Sequence, residues 1–371
     1  MKIYTVVGAR PQFIKAAAVN KAFKKLKDKN INLEEKIIHT GQHFDHNMSD
    51  NFFSELGIDK PLYNLNINRG THGSNTGRMI EELEKIFIKD SPDGVLIYGD
   101  TDSTLAGAIA ASKLNIPIFH VEAGLRSFNK NQPEEINRVI ADHLSSICFT
   151  PTIQGEKNLI KESIKKKYIK KTGDVMFDAA RIFSIKKSQS LIFLKSLDLK
   201  YKNFILLTIH RKENTDHKKN LTEILRALSE IKIPILFPLH PRTRKRIIEF
   251  KLEKYLKNLK IIEPISFKKM LILEKSASLI VTDSGGMQKE AYLQKTPLVT
   301  LRDQTEWVEL VENGFNLLAK PLNKNKIKNC IKKQLRLDFK NYDKKLYGDS
   351  HTSEKIVLFI DKFLKKFKNE R

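Results

Sequence analysis

The stretch Ile3-Tyr4-Thr5-Val6-Val7-Gly8-Ala9-Arg10-Pro11-Gln12-Phe13-Ile14-Lys15 decides the class of fold. A β-branched run reads as a buried strand, a turn containing Gly and Pro follows, and from Phe13 to Leu26 apolar residues recur at helical spacing. A strand that turns directly into a helix is the first half of a βαβ unit. The alternation then repeats. Strands are predicted at Lys36–His39, Val95–Tyr98, Ile118–Val121 and Ile147–Thr150, with helices at Ser103–Leu114, Glu134–Ser145 and Ile153–Ile164. After Tyr168–Gly173 and a Lys/Ser-rich segment (Ser184–Ser190) the pattern restarts. Its strands are Phe204–Thr208, Ile233–Pro238, Lys260–Ile262, Leu279–Thr282 and Leu298–Leu301, with helices at Asn220–Ile231 and Gln288–Gln294. The expected architecture is α/β, two Rossmann-like domains facing one another across a cleft. Residues 1–175 form the first domain and 176–351 the second. Residues 352–371 form a terminal amphipathic helix packing back on the first, with Ile356, Phe359, Ile360, Phe363 and Phe367 on one face.

Composition bounds the function. The 371 residues suit two domains at ~150 residues each. A hydrophobic fraction of 40% and a charged fraction of 30% exclude disordered, collagenous and membrane-embedded classes. Cys148 and Cys330 are the two cysteines, which is cytoplasmic usage with no disulfide framework. No apolar run is long enough to span a bilayer, and the N-terminal run meets Gly and Pro before a signal-peptide core can form, so a cytoplasmic chain is expected. The formal net charge of +24 would suit nucleic acid, a membrane surface or an anionic metabolite. Lys, Asn and Ile enrichment spread along the chain gives the same total without any such partner, and neither nucleic-acid binding nor membrane insertion is expected.

The segments just past the strands carry the chemistry, because ligands of open α/β sheets bind at the carboxyl ends of the strands. GARPQFIK (Gly8–Lys15) offers backbone N–H groups, a helix N-terminus and the cations Arg10 and Lys15. It is neither a GxGxxG nor a P-loop pattern, so no NAD or ATP site is indicated. HTGQHFDHNM (His39–Met48) lacks a metal-ligand spacing, and no metal or other cofactor is expected. YGDTDSTLAG places Asp100 past one strand, HVEAGLRS places Glu122 past the next, and PEEINR opens a helix with Glu134 and Glu135. A cap, a local Glu122–Arg126 ion pair and a helix-dipole effect would account for each singly. Together they supply carboxylates for acid/base work at one sheet edge. In the second half TIHRKEN sets His210 and Arg211, and PLHPRTRK sets His240 and Arg242, past their strands. VTDSGGMQKEA combines Ser284, Gly285 and Gly286 at a helix start with Glu290 inside the helix, an arrangement suited to a nucleotide-sugar diphosphate, although DSGG taken singly also reads as a plain turn.

In order and spacing these motifs resemble those of the non-hydrolysing UDP-N-acetylglucosamine 2-epimerase family, and the resemblance covers essentially the whole chain. It implies a glycosyltransferase-B-type fold, a UDP-sugar substrate, a homodimer and no cofactor. It also implies elimination of UDP to a 2-acetamidoglycal and re-addition with C2 protonated on the opposite face. By motif matching, Asp100, Glu122, Glu134 and His210 are the catalytic candidates, with the division of acid and base roles among the carboxylates left open. Arg10, Lys15, Arg211, Ser284, Gly285, Gly286 and Glu290 match substrate-binding positions. Gln42 and His43 match positions that contact a second, activating UDP-GlcNAc in some members. Where members acting on UDP-GlcNAc usually read Thr-Glu-Arg-Pro, this chain has Thr305-Glu306-Trp307-Val308. That departure resembles the branch acting on UDP-2,3-diacetamido-2,3-dideoxyglucuronate, a precursor of surface polysaccharide. A glycosyltransferase of the same fold is the competing enzyme reading. A polyanion-binding module is the non-enzymatic one.

Overall fold

A computed structural model describes residues 1–27, 31–42, 53, 56–184, 187–337, 346–349 and 351–370. The chain divides into two compact units, Met1–Ile182 with Asp343–Arg371, and Phe183–Tyr342. The first contains β1 (Lys2–Val7), β2 (Glu34–His39), β3 (Tyr63–Asn64), β4 (Gly94–Tyr98), β5 (Ile118–Val121), β6 (Ile147–Thr150) and β7 (Ile169–Lys171). They form one parallel sheet in the order β3-β2-β1-β4-β5-β6-β7. The second unit contains β8 (Ile205–Thr208), β9 (Ile235–Pro238), β10 (Leu259–Ile262), β11 (Leu279–Thr282), β12 (Leu298–Thr300) and β13 (Asn316–Leu318). Its order is β10-β9-β8-β11-β12-β13, again all parallel. In both sheets the strand order reverses beside the first strand of the unit, the switch point at which such sheets open a crevice for ligands.

The sequence pattern explains the two-sided burial. Central strands such as Gly94–Tyr98 and Leu279–Thr282 are buried along their whole length, so they read as continuous apolar runs rather than alternating ones. In the second unit Leu207, Phe237 and Val281 pack with Leu221, Leu225 and Ile331 from flanking helices. The first helix starts at Arg10, three residues before its apolar period begins, because the fixed φ of Pro11 suits a first turn. The helix His72–Asp90 escapes sequence reading. Its first turns, HGSNTG, have loop composition, and its buried stripe, Met79, Leu83, Ile86 and Phe87, begins only at its eighth residue.

The terminal helix Thr352–Asn369 belongs to the first unit. It packs on the helices Arg10–Lys27 and Val175–Ile182, burying Ile356, Val357, Ile360 and Leu364. Phe363 meets Phe119 edge to face at 5.5 Å. Its N-terminal amides are satisfied by Asp178, which accepts from Thr352 N (3.3 Å) and Ser353 N (2.5 Å).

Beneath β1 and β2 sits a half-buried carboxyl, Glu35. It accepts from the Thr5 hydroxyl and from Asn20 Nδ2 at 2.9 Å. Burial outweighs those bonds and pushes its pKa up to about 7. The folded state therefore holds this proton more tightly than the unfolded chain. The stability it contributes is full below about pH 4.5 and is lost as pH rises through about 7. Glu35→Gln should keep the network and remove that slope. Urea unfolding at several pH values should show the wild type falling relative to the variant by up to ~3 kcal/mol across this window, and parallel curves would contradict it.

Candidate active site

At the carboxyl edge of the first sheet three turns converge where β1, β2 and β4 end. A Cβ on Gly8 would collide with Ser103 Oγ and Thr40 Oγ1, so only glycine lets the turns close. Gln12, fully buried, fastens them. Its Oε1 accepts from Gly8 N (2.8 Å) and Ala9 N (3.0 Å), and its Nε2 donates to Tyr98 O and Thr104 Oγ1, both at 2.9 Å. Gln42 Oε1 accepts from Ser103 N (3.1 Å) and Ser103 Oγ (2.6 Å) at the start of the next helix. His43 lies outside the described residues.

Asp100 and Glu122 occupy adjacent turns, after β4 and β5. Gly99 and Glu122 both have left-handed backbones, φ 64° and 71°, and for a glutamate that conformation costs free energy. Lys15 Nζ lies 2.5 Å from Glu122 Oε1, and the two side chains are 9% and 10% exposed. The local Glu122–Arg126 pair is not formed: Arg126 bonds Asp142 and, through two nitrogens at 2.7 Å each, Glu162. Asp100 is paired with Arg138, whose other nitrogen donates to Glu135 at 2.8 Å. Burial works against the charge on Glu135. Bonds from Ser127 N and Oγ and Phe128 N, with Arg138 beside them, outweigh it and hold the carboxyl below its ordinary value. The structure thus separates the two glutamates of PEEINR: Glu135 is committed to the loop, and Glu134, on the first helical turn, is exposed.

In the second unit Asp283, fully buried, organises the edge. Its carboxylate accepts from His210 N (3.1 Å), Arg211 N (3.0 Å) and Asn214 Nδ2 (3.1 Å), joining TIHRKEN to DSGG. The His210 ring, 42% exposed, has Nδ1 3.4 Å from Asp283 Oδ1 and lies 5.8 Å from the His240 ring. Desolvation first, then His210 and Arg242, pull the pKa of His240 down. Ser284 caps the helix Gly285–Leu293 by accepting from Met287 N (3.4 Å). A Cβ on Gly285 would collide with Glu306 Oε1, whereas one on Gly286 would meet open space. Burial, and then the neighbouring Glu290 carboxyl, push the Glu274 carboxyl well up. Arg242 and Arg302 are paired, with Asp216 at 2.5 Å and Glu306 at 3.0 Å. Trp307, in the departing TEWV segment, is 3% exposed, with Lys289 Nζ 4.2 Å from its ring centre.

Sequence reasoning missed the residues that hold these turns: Gln12, Arg138, Asp142 and Asp283. The positions of Arg138 and Asp283 inside PEEINR and DSGG were visible, but their partners come from 38 and more than 70 residues away.

A sequence model of UDP-N-acetylglucosamine 2-epimerase matches residues 24–361. The chain belongs to the UDP-N-acetylglucosamine 2-epimerase family. It is 48% identical over 369 residues to the UDP-2,3-diacetamido-2,3-dideoxy-D-glucuronate 2-epimerase of Pseudomonas aeruginosa, covering 98% of this chain and 100% of that one. To the UDP-N-acetylglucosamine 2-epimerase of Methanocaldococcus jannaschii it is 43% identical, over 97% and 99% of the two chains. The crystal structure of the Methanocaldococcus jannaschii enzyme in complex with UDP-GlcNAc and UDP superposes with a TM-score of 0.86 at 42% identity, covering 97% of this chain and 99% of that one. Membership makes the chain an isomerase of the glycosyltransferase-B-type fold, and the glycosyltransferase alternative is not favoured.

The Lys15–Glu122 contact is a largely buried ion pair, so breaking it from one side should cost more than removing both charges. Lys15→Met and Glu122→Gln should each lower stability, and the double variant should lose at least ~1 kcal/mol less than the sum. Additive losses in chemical denaturation would show that the pair is not coupled.

Proposed function

We propose that this chain inverts C2 of UDP-2,3-diacetamido-2,3-dideoxyglucuronate, the diacetamido analogue of the UDP-GlcNAc to UDP-ManNAc reaction, in the synthesis of a surface polysaccharide precursor. The observation that carries the reading is the pair of adjacent turns presenting Asp100 and Glu122 beside Lys15, in a chain 48% identical to the Pseudomonas aeruginosa epimerase over nearly its whole length. The TEWV segment supports the same branch.

In this reading a carboxylate removes the C2 proton as the C1–O bond to UDP breaks, leaving the 2-acetamidoglycal. UDP then returns to C1, and C2 takes a proton on the opposite face. Asp100, Glu122, Glu134 and His210 act as the acid/base groups. Arg10, Lys15 and Arg211 offset negative charge on the departing diphosphate. Ser284, Gly285 and Gly286 offer a helix N-terminus to phosphate, and Glu290 takes the ribose hydroxyls. Gln42 is a candidate contact for a second, activating UDP-sugar. The working form is a homodimer in the cytoplasm.

Incubation in D₂O without any acceptor should place deuterium at C2 of both epimers, whereas a glycosyltransferase leaves the donor unlabelled. The kcat/KM for the diacetamido-uronate should exceed that for UDP-GlcNAc by at least about tenfold; a ratio near one would overturn the substrate. Asp100→Asn and Glu122→Gln should each reduce kcat by ~10²- to 10⁴-fold.

A further inference from the structure

His120 sits on β5 two residues before Glu122, and its side chain is 0% exposed. Its Nε2 lies 2.8 Å from Gly99 O, and its Nδ1 lies 2.7 Å from Asp142 Oδ1. A backbone carbonyl can only accept. Burial opposes the charge on Asp142, but His120 and Arg126 outweigh burial and hold the carboxyl below its ordinary value. Each ring nitrogen thus faces an oxygen of a different element. The second oxygen of Asp142 accepts from Gly124 N at 3.0 Å and meets Arg126 Nη1 at 2.7 Å.

These bonds add a side-chain tie between two turns to the backbone bonds that end the sheet there, Gly99 N to Val121 O (2.9 Å) and Ala123 N to Phe149 O (3.0 Å). Gly99, which precedes Asp100, is held at its N–H by Val121 O (2.9 Å) and at its carbonyl by His120. Gly124, which follows Glu122 by two residues, is held by Asp142. Glu122 lies between the anchored positions with a left-handed backbone that a glutamate adopts only where its surroundings impose it. We propose that His120, acting with Asp142, is a positioning residue that fixes the Glu122 turn against the Gly99–Asp100 turn, and so sets the spacing of the two carboxylates for proton transfer at the sugar. The inference rests on the function proposed above.

The two halves of the link can be cut separately. In His120→Asn the amide occupies the place of Nδ1, keeping Asp142 and losing Gly99; in His120→Gln it reaches the place of Nε2 and does the reverse. Either change should lower kcat by ~10- to 100-fold, the usual cost of a displaced catalytic group, while KM and the UDP dissociation constant stay within about threefold. Rates are counted per folded first unit, quantified by wild-type protection of the β4 and β5 amides from hydrogen exchange, because UDP can occupy second-unit residues whatever the state of the first. A kcat per folded first unit within about threefold of wild type in either folded variant overturns the proposal. Should neither variant fold, ¹⁵N-histidine NMR of the wild type decides: a His120 ring N–H protected from solvent exchange and coupled across a hydrogen bond is expected, and a ring N–H that exchanges as fast as in free histidine overturns the link. Wild-type protein that exchanges no C2 proton would instead count against the proposed function, leaving the NMR result to judge the link by itself.

Discussion

Parallel strands that stop inside a protein leave amides and carbonyls at the carboxyl edge with no ladder to join, and burying them unpaired is costly. Each unit meets this constraint with a buried polar side chain that bonds several turns at once. In the first unit Gln12 does so directly and Asp142 through His120, which faces Gly99 O, and in the second Asp283 does. The loops that carry reactive groups are thus held by hydrogen bonds from beneath. Their exposed ends, such as His210 and Glu134, stay accessible while their backbones are fixed.

The electrostatics follow the same division. Lys15, Arg126 and Arg138 are buried and each is matched by carboxylates, so the interior of the first unit is close to charge-balanced at these points. The lysines that produce the +24 excess are of another kind, exemplified by Lys24 and Lys25, whose side chains are more than half exposed even when an acid lies near. Such pairs add little to stability and are screened by salt. Lysines of this kind carry charge on exposed faces, apart from the buried, paired cations of the first unit.

Sequence is most legible where structure depends on neighbours along the chain. The strand runs Ile3–Val7, Val95–Tyr98 and Leu279–Thr282 announce themselves by composition, and the residues just past them land at the sheet edges because the chain leaves a strand at its carboxyl end. The helix His72–Asp90 stayed hidden because its opening turns are polar and glycine-bearing. β3, two residues long, has no periodicity to show. At the candidate site, Asp100, Glu122 and His210 were legible as types at positions. Their partners were not: nothing in PEEINR distinguishes the exposed Glu134 from the committed Glu135, and nothing local says that Lys15 meets Glu122, 107 residues away. Trp307 was legible as a departure, whereas its burial against Lys289 is a tertiary fact.

The return of the helix Thr352–Asn369 to the first unit makes that unit discontinuous in the chain. During synthesis, the uninterrupted stretch Phe183–Tyr342 has all its own strands in hand while the first-made sheet still lacks the helix that covers Phe119. The usual N-to-C order of domain completion is thereby inverted. Until the helix Thr352–Asn369 is made, the sheet of the first unit carries an uncovered apolar face at Phe119.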